Sequence, residues 1–155
     1  ENLEKVKTSG VQFIWQTGKI YIEEARVAVA QVEGLDMLVV TDFISDMAMA
    51  YCAADLVISR AGAGSISEFC LLKKPVILVP SPNVAEDHQT HNAMALVNRY
   101  AAMMVKDADA DEKLMSTACA LLQEPERIRL LERNIAALAR TDAAMDIVKE
   151  IYRHV

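Results

Sequence analysis

Leu56-Val-Ile-Ser-Arg-Ala-Gly-Ala-Gly-Ser65 is the stretch on which the fold turns. Its first four residues suit a strand, and the small residues after them lead into a helix that is expected to open at Ser65. A strand passing into a helix through glycines is the first half of a βαβ unit. The same alternation runs to either side. Val11–Trp15, Met37–Thr41, Val76–Val79 and Ala102–Val105 read as further strands. Ile20–Val32, Asp46–Cys52, Ser65–Leu72 and Gln89–Tyr100 read as helices. The strands are short and apolar on both faces, as strands covered by helices from each side are. The expectation is therefore an α/β fold: a Rossmann-like parallel sheet with helices on both faces.

Beyond Val105 the pattern turns wholly helical. Leu114, Ala118, Leu121 and Leu122 make one apolar face, and Ile128, Leu131, Ile135 and Leu138 make another at three-four spacing. Pro125 suits a first helical turn, where its missing N–H is not needed. A last helix starts near Asp142, with Met145, Val148, Ile151, Tyr152 and Val155 expected as its buried stripe. No repeat or flexible linker interrupts the chain, so residues 1–155 are read as a single domain. The length supports one core of ordinary size.

Composition narrows the function. Hydrophobic residues at 53% exclude a chain that is mainly disordered, and a net charge of -6 argues against nucleic acid or anionic lipid as the partner of this segment. No charge-free run exceeds eleven residues, too few for a bilayer span. Glu1-Asn-Leu-Glu-Lys5 has no apolar signal core. Cys52, Cys70 and Cys119 form no CxxC pair and are expected as reduced, buried thiols of a cytoplasmic protein.

The glycine-rich turn carries the chemistry. Free N–H groups at a helix start, aided by the helix dipole, bind anions, and the small residues let a phosphate or diphosphate approach. A dinucleotide fingerprint from Gly62 would need glycine where Ser67 stands, and no Gly-Lys-Ser/Thr loop occurs. Ser65-Ile-Ser-Glu68 also has the form of a capping box. Glu68 thus has two readings: a cap, or a carboxylate for a vicinal diol such as ribose. The polar segment Ser81–Asn92 follows a strand at its carboxyl end, where open α/β sheets bind ligands. Gln89 and Asn92 there suit either sugar hydroxyls or the start of the helix.

Asp42-Phe-Ile-Ser-Asp-Met47, Ala54–Glu68, Pro75-Val-Ile-Leu-Val-Pro80, Asp87-His-Gln-Thr-His-Asn-Ala93 and Trp15-Gln-Thr-Gly18 stand in an order and spacing that resemble the donor half of the B-type glycosyltransferases. Within that family the likeness is to enzymes of peptidoglycan synthesis that add N-acetylglucosamine to lipid I, giving lipid II. The resemblance implies UDP-N-acetylglucosamine as donor. The main chain of Ile44 would read the uracil edge, with Phe43 and Met47 packed nearby. Gly62 and the N–H groups of Ala63, Gly64 and Ser65 would hold the diphosphate, and Glu68 the ribose. Gln89, with His88 or Asn92, would contact the sugar, and Arg60 would line the pocket or stand as a surface charge. No cofactor, metal or catalytic residue is implied within these residues.

Members of that family have an amino-terminal domain that holds the lipid acceptor and supplies the candidate base, and nothing here corresponds to it. The strand and glycine-rich loop that open the family's donor domain are also missing. Glu1–Gly10 resembles only the tail of the following helix. The expectation is a carboxyl-terminal part, inactive alone, of an enzyme peripheral on the cytoplasmic face of the membrane. In a doubly wound order the missing strand is central. Val11–Trp15 and Leu56–Ser59 are then expected to pair directly, or to be bridged through a homodimer.

Other readings are weaker. Asp107-Ala-Asp-Ala-Asp111 lacks the glycine and glutamate of a calcium loop and is expected to cap the helix at Asp111–Leu122. His88 and His91 have no third metal ligand in view, and Asp87-His88 reads as a loop pair more than a catalytic dyad. The functional alternatives are a UDP-N-acetylglucosamine 2-epimerase and a UDP-sugar-binding subunit of a two-chain glycosyltransferase.

Overall fold

A computed structural model describes residues 2–83 and 87–154. Its helices and strands alternate from the start: α1 (Asn2–Thr8), β1 (Phe13–Gln16), α2 (Ile22–Ala30), β2 (Leu38–Thr41), α3 (Met47–Ala53), β3 (Val57–Ser59), α4 (Ala63–Leu72), β4 (Val76–Leu78), α5 (His88–Val97) and β5 (Met103–Met104). Then α6 (Ala110–Leu122), α7 (Pro125–Ala136) and α8 (Ala143–Arg153) close the chain. The fold is the α/β arrangement expected, with parallel strands and a helical end. None of the described helices is long and apolar enough to cross a membrane.

The chain divides into two compact units. Residues 1–55 and 108–125 form the first. There β1 pairs with β2 in parallel, from Phe13↔Leu38 to Gln16↔Thr41. The α1 helix meets α6 through its side chains: Asn2 Nδ2 donates to the Asp111 carbonyl at 2.8 Å, and Val6 is buried. Ala118 and Leu121 of α6 are buried, as the helical spacing requires. One feature departs from the sequence reading. Ile14 and Val39, register partners, are 55% and 58% exposed, so one face of this strand pair lacks the expected helix cover.

Residues 56–107 and 126–155 form the second unit. Its sheet has the order β3-β4-β5, all parallel. The central strand β4 is flanked on both edges, and Val76, Ile77 and Leu78 are each 0% exposed. Phe69 of α4, Ala93 and Leu96 of α5, and Leu131 and Ile135 of α7 complete the core. The α4 helix ends at Lys73, whose φ of 56° reverses the chain while the N–H groups of Lys73 and Lys74 return to the carbonyls of Cys70 and Phe69.

Three further expectations are corrected. The direct pairing of Val11–Trp15 with Leu56–Ser59 is not formed: β1 takes β2 as its partner and β3 takes β4. Each of the crossovers α2 and α4 brings together the two strands that flank it, as a βαβ unit does. Second, α8 has no buried residue, and Met145, Val148, Ile151 and Tyr152 are all exposed. The apolar stripe is present in the sequence, but no part of the described chain covers it; Val155 lies outside the described residues. Third, of the three free cysteines only Cys70 is buried, while Cys52 is exposed and Cys119 lies between.

Candidate functional site

In the second unit the site is built around the start of α4. Gly62 is the N-cap, with extended backbone at φ -69° and ψ 140°, and the helix begins at Ala63. It therefore starts two residues before Ser65, and the capping box is not used: no side chain caps this helix. Sequence alone favoured Ser65 because Ser-x-x-Glu is a common start signal, whereas glycine caps by conformation and leaves no side-chain mark. Ile66 N–H makes the first helical bond, to the Gly62 carbonyl at 3.0 Å. The N–H groups of Ala63, Gly64 and Ser65 thus have no acceptor within the helix and point out of its positive end. Glu68 lies one turn further along α4.

Glycine is not demanded here by the fold. Both Gly62 and Gly64 avoid the left-handed region, where only glycine is at ease. A Cβ at Gly64 would meet no atom within 4 Å, and one at Gly62 would come only to 3.9 Å from Ser65 Oγ.

Two side chains of α5 tie the adjoining loop ends together. Gln89 Oε1 accepts from Ala61 N–H at 3.2 Å and from Ser81 N–H at 2.9 Å. Asn92 Nδ2 donates to the Ala61 carbonyl at 3.1 Å. Neither residue caps its own helix, which starts from Asp87. Together they hold both polar groups of Ala61, and Gln89 joins the end of β3 to the end of β4. Their other halves, the Gln89 NH2 and the Asn92 Oδ1, make no hydrogen bond among the described residues. Those atoms supply a donor and an acceptor for sugar hydroxyls. His88 is the first residue of α5. Val84, Ala85 and Glu86 of the polar segment lie outside the described residues.

Arg60 and Asp107 also find each other. The guanidinium donates to Asp107 Oδ1 and to the Val79 carbonyl, joining the ends of three neighbouring strands. Arg60 is thus tied into the sheet rim. Asp107 is correspondingly removed from the capping role expected of it. Asp109 is the N-cap of α6 without a side-chain cap bond, while Asp111 and Glu112 occupy the first turn, where negative charge favours the dipole.

In the first unit the loop between β2 and α3 holds Phe43 and Ile44, and Met47 opens α3. Ile44 and Met47 are half-buried, and the Phe43 ring is 66% exposed. Asp46 caps α3 by accepting from Met49 N–H at 2.9 Å. Ile44 N–H donates to Gln16 Oε1 at 2.9 Å. Gln16 stands in the Trp15–Gly18 motif and Thr41 ends the strand expected at Met37–Thr41, but a polar residue at a strand end carries no mark of the loop its side chain will meet. No group of three or more potential metal ligands occurs among the described residues.

Comparison with known proteins places these residues in context. Residues 1–151 match the glycosyltransferase family 28 C-terminal domain. The chain is 67% identical over 153 residues to a UDP-N-acetylglucosamine--N-acetylmuramyl-(pentapeptide) pyrophosphoryl-undecaprenol N-acetylglucosamine transferase of Phocaeicola vulgatus, covering 99% of this chain and 41% of that protein. The Bacteroides fragilis protein of the same name is 61% identical over 147 residues, or 95% of this chain and 39% of its own. The chain spans about two fifths of these relatives' length. Among solved structures, MurG of Acinetobacter baumannii superposes with a TM-score of 0.83 at 26% identity, over 97% of this chain and 44% of that one. The solution structure of ALG13, at 22% identity, shares the fold with a TM-score of 0.57 over 85% of this chain and 83% of that one.

Proposed function

We infer the function from one premise: the chain belongs to glycosyltransferase family 28, as its C-terminal domain. We propose that it is the donor-binding part of an enzyme that transfers N-acetylglucosamine from UDP-N-acetylglucosamine to lipid I, producing lipid II in cell-wall synthesis. The names of the P. vulgatus and B. fragilis relatives support this donor and a lipid-linked acceptor. A lipid-linked acceptor fits our reading of the whole enzyme as a peripheral protein at the cytoplasmic face of the membrane.

The turn at Gly62–Ser65 carries the reading. Three N–H groups have no acceptor within the helix, and neither Gly62 nor Gly64 is required by its backbone conformation or by crowding at its Cβ position. A diphosphate seated there would explain both. In the reaction the acceptor's sugar hydroxyl attacks the anomeric carbon of the donor, and UDP departs with its bonding pair. The N–H groups of Ala63, Gly64 and Ser65 stabilise the charge that develops on the leaving diphosphate. Glu68 accepts from the ribose hydroxyls. Gln89 donates to a sugar hydroxyl through its NH2, and Asn92 accepts through Oδ1. None of the described residues is assigned the proton removal from the acceptor, so this chain alone is expected to bind donor and transfer nothing.

Calorimetry of this chain with UDP-N-acetylglucosamine tests the proposal, with UDP-glucose and GDP as controls. Preferential binding of the N-acetylglucosamine nucleotide is expected. Gly64→Ala sharpens the test: alanine favours the helix by up to about 1 kcal/mol, yet its methyl group stands where the diphosphate approaches. A variant that is no less stable but has lost UDP binding is the expected result. Unchanged UDP binding by Gly64→Ala would refute the phosphate site. Epimer formed from the free nucleotide sugar without acceptor would instead favour the epimerase.

A further inference from the structure

Arg60 stands two residues before the anion turn, and its charge is already engaged. Its guanidinium donates to Asp107 Oδ1, beyond the end of β5, and to the Val79 carbonyl, beyond the end of β4. All three residues belong to the second unit. The turn itself does not lean on this pair. Ala61, the one residue between Arg60 and Gly62, is 0% exposed, with its N–H held by Gln89 and its carbonyl by Asn92. The pair also adds little to stability, because its side chains are 56% and 35% exposed and an ion pair so open to water is weak. What it governs is the place of a charge. Two Cα–Cα steps put Gly62 within about 7.6 Å of Arg60, a span within reach of a long arginine side chain. A guanidinium is a stronger partner for a phosphate than a peptide N–H, and it can bind in two places at once. Released from Asp107, Arg60 would turn to a diphosphate seated on Ala63, Gly64 and Ser65.

We propose that Asp107 is a positioning residue for product release: it keeps the Arg60 guanidinium on the sheet rim and off the diphosphate. The inference rests on the phosphate reading above and deepens it. With Arg60 engaged, the turn holds the diphosphate through N–H groups alone. That is enough to steady the leaving charge and weak enough to let UDP go. A turn that gained a guanidinium salt bridge would grip the product as well, and affinity gained in that way shows mainly as slower release. Asp107 acts through Arg60 and is assigned no contact with donor or product. Neither residue is part of the core, so replacing either leaves the fold intact.

The test measures inorganic pyrophosphate and UDP binding by the protein at its full natural length, in about 0.15 M salt. Asp107→Asn is expected to tighten both ligands roughly tenfold, the scale of one charge-assisted hydrogen bond. It should also slow UDP release in stopped flow. Asp107→Glu keeps the charge and should bind both ligands as the unaltered protein does. In an Arg60→Gln background the same Asp107→Asn change should move affinity less than about twofold, since salt at this strength screens charges beyond roughly 8 Å. A pair that merely braced the turn would give the opposite sign, so weaker pyrophosphate binding by Asp107→Asn overturns the proposal. Unchanged binding overturns it too. An equal gain with and without Arg60 also does so, because the lost charge would then act through space. Loss of pyrophosphate binding by Arg60→Gln alone would show that Arg60 grips the phosphate with Asp107 in place, against the proposal. Failure of the unaltered protein to bind either ligand removes the phosphate site itself, and this inference with it.

Discussion

The two strand systems are written in the same residues and buried to opposite degrees. Val76, Ile77 and Leu78 of β4 are wholly enclosed, while Ile14 and Val39 of the β1–β2 pair are more than half exposed. The difference lies in partners, since β4 has a strand on each edge and helices of its own unit around it, whereas β1 and β2 have only each other as strands. Apolar sequence makes a strand capable of burial. Neighbours decide whether burial happens.

The largest test of this contrast is truncation. Ile77→Ala should cost about 2–5 kcal/mol, because it removes buried atoms and leaves a cavity in a closed core. Ile14→Ala should cost less than about 1 kcal/mol, since little of its side chain leaves water. Urea unfolding of both variants checks the pair, and equal losses would break the comparison. Next come the two glutamines that hold backbone groups. Gln89→Leu leaves the N–H groups of Ala61 and Ser81 without their acceptor, a loss of about 2 kcal/mol for part-buried donors. Gln16→Leu strips one N–H at an exposed site and should cost under about 1 kcal/mol. Similar losses from the two would mean that the loops are equally enclosed.

Helix starts sharpen the contrast further. Asp46→Ala removes a working cap from α3 and should cost about 1 kcal/mol. Ser65→Ala, inside the first turn of α4, should stay within about 0.5 kcal/mol, as its side chain caps nothing. Thermal unfolding of the two variants measures this. The smallest effect is in the thiols. Burial pushes the Cys70 thiol above its ordinary value of 9.0, holding it neutral in the folded state. The unfolded chain ionises first as pH rises, so this group takes stability away above about pH 9 and contributes nothing below it. Alkylation at neutral pH should therefore reach the exposed Cys52 while Cys70 stays protected until denaturant is added. Equal labelling of the two in the folded protein would contradict the burial.

Much of the architecture was legible because it rests on local pattern. Alternating apolar runs and helical spacing mark β1 to β5 and the buried faces of α6 and α7, with boundaries within three residues of those observed. The glycine-rich turn announces a helix start, but its Ser-x-x-Glu pattern points to Ser65 as the cap, whereas the cap is Gly62. Arg60 and Asp107 are 47 positions apart, and nothing local reveals that a salt bridge joins them. The roles of Gln89 and Asn92 were half legible: amides near a loop signal hydrogen bonding, but the partner, Ala61, lies on another strand end.

By itself the sequence determined which segments become strands and helices, the parallel α/β class, and the family to which the glycine turn and its surrounding motifs belong. These depend on backbone propensity, side-chain period and residue types in fixed order, all of which are properties of neighbours along the chain. Tertiary structure alone decided that β4 is enclosed and the outer face of β1 and β2 is not, and that the stripe on α8 stays exposed. It also decided that Gln16 and Thr41 grip the peptide before Ile44. Each of these depends on groups distant in sequence meeting in space, and hydrogen bonds and burial are settled only by that meeting.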